Sequence, residues 1–139
     1  MPEIVHVLEV GANRTKVREA ITTQNGLSNW WTRDVKAEPR VGAVNEFGFG
    51  AGKPVFKLKV KTLEPERIVW ESMQGPPDWN GTTVSFELAE QGTGTRVLFR
   101  HAGFQSTGGG FGVYNYSWAQ FLRSLKQLVE TGRGEPAGT

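Results

Sequence analysis

The feature that most constrains this chain is one long amphipathic stripe near its C-terminus. Apolar side chains recur there at three- and four-residue steps, namely Tyr114, Trp118, Phe121, Leu122, Leu125, Leu128 and Val129. This spacing is typical of one face of an α-helix of about four turns. Gly132 follows the stripe and is the expected C-cap. Because such a helix must bury its apolar face, the rest of the chain has to supply a matching surface.

A strand and two short helical segments are predicted before the main run of strands. Residues 3–10 alternate loosely and are rich in β-branched side chains, which indicates a strand. Asn13 can cap a helix that continues through Ile21, and we expect Gln24-Asn25-Gly26 to end it. One more helical turn is expected up to the pair Trp30-Trp31.

Between Asp34 and Gly103 the pattern has a period of two. Phe56 and Leu58, for example, alternate with lysines. We expect about six strands here, so the element order is strand, two helices, six strands and a long helix. This order predicts an α+β fold, in which a curved antiparallel sheet of about seven strands wraps around the C-terminal helix. One helix does not always fill a curved sheet, so we expect an apolar cavity between them.

Length and composition exclude several classes of protein. The 139 residues fit one domain, which we place at residues 1–132, and the Gly- and Pro-rich residues 133–139 are expected to form a disordered tail. The chain has no cysteine, which excludes disulfides and thiolate chemistry and suits the cytoplasm. We expect no signal peptide and no membrane insertion. The net charge of +2 comes from interspersed charges, so we expect no nucleic-acid partner.

The aromatic content, 5 Trp, 8 Phe and 2 Tyr, is high for a domain of this size. Each aromatic side chain on an inward face is more often packing than contact, but together they would make a cavity apolar. The candidate ligand-binding residues are Trp30, Trp31, Phe47, Phe49, Phe56, Leu58, Trp70, Phe86, Phe99, His101, Tyr114, Trp118, Phe121 and Leu122. Trp79 lies in a Pro-rich loop, and we expect it near the mouth of the cavity.

His101 is the most interesting polar residue because it follows Phe99 on the predicted inward face. Three interpretations stay open: a neutral ring bonded to protein partners, a ligand-binding group acting with Tyr114, and a general base. No metal-ligand motif surrounds either histidine, and the glycines at 48–52 lack the remaining residues of a phosphate-binding loop. We therefore assign no metal, no cofactor and no catalytic residue.

Several motifs together indicate a family. They are Val17-Arg18-Glu19-Ala20-Ile21-Thr22, Trp30-Trp31, Val41-Gly42 with Phe47-Gly48-Phe49, Gly94-Thr95-Arg96-Val97 leading to His101-Ala102-Gly103-Phe104, and Ser117-Trp118 with Leu122 and Leu125. With the element order, they resemble the SRPBCC superfamily, the helix-grip fold of START domains and polyketide cyclases. Within it, the chain resembles the group related to the C-terminal domain of the heat-shock-protein-90 ATPase activator. The resemblance implies a hydrophobic ligand cavity between sheet and helix, and it implies no universal catalytic residue.

The sequence favours one function and leaves two alternatives. The favoured function is the binding of a small, mainly hydrophobic ligand in the apolar cavity. The first alternative is a cyclase, dehydratase or hydrolase that uses polar residues of the cavity such as His101. The second, by analogy with the family name, is a domain that stimulates the ATPase of a chaperone partner. A homodimer formed through outward Leu98 or Val69 is also a candidate assembly.

Overall fold

The structure, a computed structural model, describes residues 1–138. Its strands are β1 (Glu3–Val10), β2 (Asp34–Lys36), β3 (Val44–Gly48), β4 (Phe56–Leu63), β5 (Arg67–Gln74), β6 (Thr83–Gln91) and β7 (Gly94–Ala102). Its helices are α1 (Arg14–Thr22), α2 (Gln24–Trp30) and α3 (Phe111–Thr131), with a short 3₁₀ helix at Pro77–Trp79. This order confirms the predicted one.

The strands form a single antiparallel sheet in the order β1-β7-β6-β5-β4-β3-β2. The six strands from β2 to β7 follow one another as a meander, and β1 joins β7 at the far edge. The pairing of β4 with β5 is irregular at Lys57/Leu58 and at Val60/Thr62. Such bulges bend a strand and increase its twist, which helps the sheet to curve. The predicted α+β helix-grip fold is confirmed.

The two short helices begin at side-chain caps. Asn13 accepts a hydrogen bond from the backbone N–H of Lys16 at 2.9 Å, as the sequence predicted. The second boundary differs from the prediction, because Thr23 has extended backbone and caps α2 through Gly26 N–H. Gln24-Asn25-Gly26 therefore begins α2 and does not simply end α1. Gly26 serves close packing, since a Cβ there would lie 2.5 Å from Ala20 Cα.

The long helix α3 lies against the concave face of the sheet with the predicted stripe toward it, although Tyr114, Phe121 and Leu128 are only partly buried. Trp118, Leu122, Leu125 and Val129 are all buried. The helix ends at Gly132, whose φ of 87° is left-handed, as expected of a C-cap glycine. None of the helices within residues 1–138 combines the length and the apolar character needed to cross a membrane.

Residues 133–138 differ from the expected disordered tail, because they pack back onto the domain. The N–H of Glu135 donates to Ser124 Oγ at 2.7 Å, and Ala137 exchanges backbone hydrogen bonds with Trp31 and Arg33. Gly134 permits this approach, since a Cβ there would lie 2.4 Å from a backbone oxygen of α2. The packed unit therefore extends past 132, and Thr139 lies outside the described residues.

Candidate functional site

Aromatic rings fill most of the space between the sheet and α3. Trp31 is the hub of this packing, with ring centroids 4.3 Å from Phe47, 5.0 Å from Trp118 and 5.9 Å from Trp70. Trp118 also packs on Phe99 at 4.6 Å. The centre of the predicted cavity is therefore closed by side chains.

Eight of the predicted ligand-binding residues lie in this closed core, away from the cleft described below. They are Trp30, Phe47, Leu58, Trp70, Phe86, Phe99, His101 and Leu122, each at most 1% exposed. Their inward direction was predicted, but they meet other side chains and leave no room for a ligand. Their observed role is packing.

A cleft of about 320 Å³ remains open beside the N-terminal half of α3. Six of the predicted residues line it, namely Trp31, Phe49, Phe56, Tyr114, Trp118 and Phe121. The other lining residues are Lys53, Pro54, Pro76, Trp79, Val113 and Ser117. Of these, sequence reasoning placed only Trp79 near the mouth. Volumes of about 300–1,000 Å³ are usual for sites that bind small molecules.

Three segments build the cleft. Phe49 and Phe56 flank the glycine-rich β3–β4 loop, and their rings meet edge to face at 5.4 Å. Phe56 also contacts Trp79 of the β5–β6 loop at 4.6 Å. Phe121 of α3 reaches Phe49 at 5.9 Å and completes the wall. The cleft thus has aromatic walls contributed by these three segments and by Trp31 at the end of α2.

Asp78 fastens the β5–β6 loop to the start of α3. Its carboxylate accepts a hydrogen bond from Gly110 N–H at 2.9 Å and one from the Tyr114 hydroxyl at 3.2 Å. The backbone N–H of Gly110 is the main reason that the pKa of Asp78 is lowered. The pKa of Tyr114 is raised, first by burial and then by the charge of Asp78. The Tyr114 proton is therefore held by a carboxylate, which weakens Tyr114 as a proton donor to a ligand.

His101 lies beneath the cleft and is 0% exposed. Its Nδ1 faces the indole N–H of Trp118 at 3.1 Å, and its Nε2 lies 2.9 Å from Thr82 Oγ1. An indole N–H can only donate, so Nδ1 must accept and Nε2 must carry the proton. Thr82 in turn donates to the carbonyl of Trp79 at 2.6 Å. Burial lowers the pKa of His101 from 6.5 to about 3.

Of the three interpretations of His101, the neutral ring bonded to protein partners fits this geometry. Both ring nitrogens are occupied, and the residue does not line the cleft. The prediction placed His101 in contact with a ligand, whereas the structure places it outside the lining of the cleft. The alternative of a general base does not fit either, because the ring is buried and both of its nitrogens are already hydrogen-bonded to protein groups.

A second, polar depression of about 280 Å³ lies near the C-terminal end of α3, between Glu9, Lys126 and Glu130. Glu130 accepts hydrogen bonds there from Gly11 N–H and from Lys126, so its carboxylate is already paired. Within the part of the chain that the structure describes, no cluster of three or more His, Asp or Glu side chains could hold a metal ion.

The comparisons with known proteins agree with this architecture. Residues 11–130 match the model of a family described as "Activator of Hsp90 ATPase homolog 1-like protein". The chain is 36% identical to the protein in the solution structure of the Aha1 dimer from Colwellia psychrerythraea, with a TM-score of 0.86. That match covers 96% of this chain and 100% of the other. The search of curated proteins found no match.

More distant structures share the fold alone. A protein from Mesorhizobium loti is 22% identical, with a TM-score of 0.79 and coverage of 91% of this chain and 96% of that one. DynU16, from the dynemicin biosynthetic locus, is 23% identical with a TM-score of 0.77. The match covers 95% of this chain but only 48% of DynU16.

Proposed function

Because this chain belongs to the family of Activator of Hsp90 ATPase homolog 1-like proteins, we propose that it binds a small, mainly hydrophobic molecule in the cleft beside α3. One observation carries the proposal. A cleft of about 320 Å³ with aromatic walls stays open, whereas the neighbouring interior is filled with interlocked rings. Phe49, Phe56 and Phe121 are only partly buried at this cleft, so an apolar molecule would remove ring surface from water.

A fluorescence titration with N-phenyl-1-naphthylamine tests the proposal. This neutral probe becomes bright in apolar surroundings, and we expect saturable binding of one probe per chain. In a Ser117→Leu variant the larger side chain enters the cleft from α3, so binding should weaken at least tenfold. Ala119→Leu is the matched control, because residue 119 is exposed on the same helix and lies outside the cleft. Equal binding by both variants would contradict the proposal.

A second candidate function follows from the family description and from the named relative. The chain would act as a partner that stimulates the ATPase of the chaperone Hsp90. The test is the chaperone's ATP hydrolysis rate with and without an excess of this protein. An unchanged rate, together with no complex in analytical ultracentrifugation, would exclude this function.

We also propose that the chain forms a homodimer, since its 36% identical relative is a dimer in solution. The outer face of β1 is the candidate surface, because Val5 and Val7 are 43% and 49% exposed and Val7 is paired with Leu98 of β7. Light scattering should give twice the monomer mass for the parent and the monomer mass for Val7→Glu. A parent that stays monomeric at high concentration would refute the dimer.

A further inference from the structure

Some hydrogen-bonding groups at the cleft already have protein partners, and others do not. Asp78, which is bonded to the lining residue Tyr114, accepts hydrogen bonds from Gly110 N–H and from the Tyr114 hydroxyl. The indole N–H of Trp118 is likewise taken by His101. These groups hold the walls together, and a ligand gains nothing from them without breaking an existing bond.

Two polar side chains that line the cleft have no partner among the described residues, Lys53 and Ser117. Lys53 is the one charged side chain that lines the cleft, and its ammonium makes no ion pair or hydrogen bond with any residue in the range 1–138. The hydroxyl of Ser117 also lacks a partner within that range.

Among the described residues that line the cleft, Lys53 offers a cation, and no carboxylate competes for it. A ligand that brings acceptor atoms and a negative charge complements this set, whereas a cationic ligand would face Lys53. The aromatic walls favour a flat apolar body for the rest of the molecule.

We propose that the ligand of the cleft is an amphipathic anion, with a flat, mainly aromatic body between the ring walls and one acidic group beside Lys53. This inference rests on the proposed function and adds the charge class of the ligand. Two probes that share one apolar ring system, one neutral and one anionic, can therefore test the two proposals separately.

The test compares N-phenyl-1-naphthylamine with 1-anilinonaphthalene-8-sulfonate, which carries a sulfonate on the same ring system. In Lys53→Met, we expect the dissociation constant of the sulfonate probe to rise by about two- to fivefold, the range for an ion pair with an exposed lysine. The neutral probe should bind Lys53→Met as it binds the parent. Added salt should weaken the binding of the sulfonate probe to the parent and have little effect on its binding to the variant.

Lys59→Met is the matched control, because it removes the same charge from β4 at a residue that does not line the cleft. It should leave the affinity for both probes unchanged. If Lys53→Met changes the binding of both probes equally, or of neither, the inference is overturned while ligand binding stands. If the parent binds neither probe, or if Ser117→Leu binds both like the parent, ligand binding in the cleft is overturned as well.

Discussion

Acid should destabilise this protein through His101 between pH 6.5 and 5.5, above the range in which carboxylates take up protons. The folded state holds the ring neutral, with a pKa of about 3, whereas the unfolded chain restores the ordinary value near 6.5. The unfolded state therefore binds more protons between these two values. Stability is complete above pH 6.5 and falls as the pH drops from 6.5 toward 3.

The size of the effect follows from the same two values. At pH 5.5, one unit below the ordinary pKa, the unfolded state gains about 1.4 kcal/mol from protonation of His101. The pKa values of Asp78 and Glu130 are also lowered, so both carboxylates stabilise the fold at neutral pH and lose that effect as the pH falls below about 4.5. The interval from pH 8 to pH 5.5 consequently reports mainly on the buried histidine.

Urea unfolding at pH 8 and pH 5.5, followed by tryptophan fluorescence, measures this difference. We expect the parent to lose about 1.4 kcal/mol between the two conditions, and His101→Gln to lose much less. His6→Gln is the matched control and should behave like the parent, since it keeps His101. An NMR titration of the His101 ring gives an independent answer, because its signals should not move between pH 8 and pH 5. A parent-like pH dependence in His101→Gln would refute the reasoning.

Three further substitutions test the packing. Gly26→Ala should destabilise the protein by about 1–3 kcal/mol, because its Cβ would lie 2.5 Å from Ala20 Cα. Gly112→Ala should stabilise it by up to about 1 kcal/mol, because nothing lies within 4 Å and alanine favours the helix; thermal unfolding of both variants checks the opposite signs. Asp78→Asn should cost about 1 kcal/mol in urea unfolding and lower the pKa of Tyr114 in a spectrophotometric titration made on a Tyr116→Phe background.

The sequence predicted the fold well because each element has its own period. The alternation in β4 to β7 and the stripe of α3 each bury one face, so strand count and helix placement followed directly. The boundary between α1 and α2 was harder to predict from the sequence. Thr23 caps α2 there, and Gly26 is required because α1 packs closely against it. Helix propensity does not reveal such a packing contact.

The cleft was only partly predictable. Period two shows that Phe47 and Phe49 share a face, but not that Phe47 is sealed under Trp31 while Phe49 borders open space. That difference depends on how deep each ring lies along the curved sheet. Lys53 and Pro76 were missed because loops carry no periodicity. The tail was misjudged for a similar reason, since Gly134 was taken as a sign of disorder when it serves close packing.

The most direct test of ligand binding uses the indole N–H signals of the five tryptophans. In a ¹H–¹⁵N NMR titration with N-phenyl-1-naphthylamine, the signals of Trp31, Trp79 and Trp118, which line the cleft, should move most. Those of Trp30 and Trp70, buried in the core, should move little. If no indole signal responds, or if the core pair moves more than the cleft residues, the molecule does not bind where the structure leaves room for it.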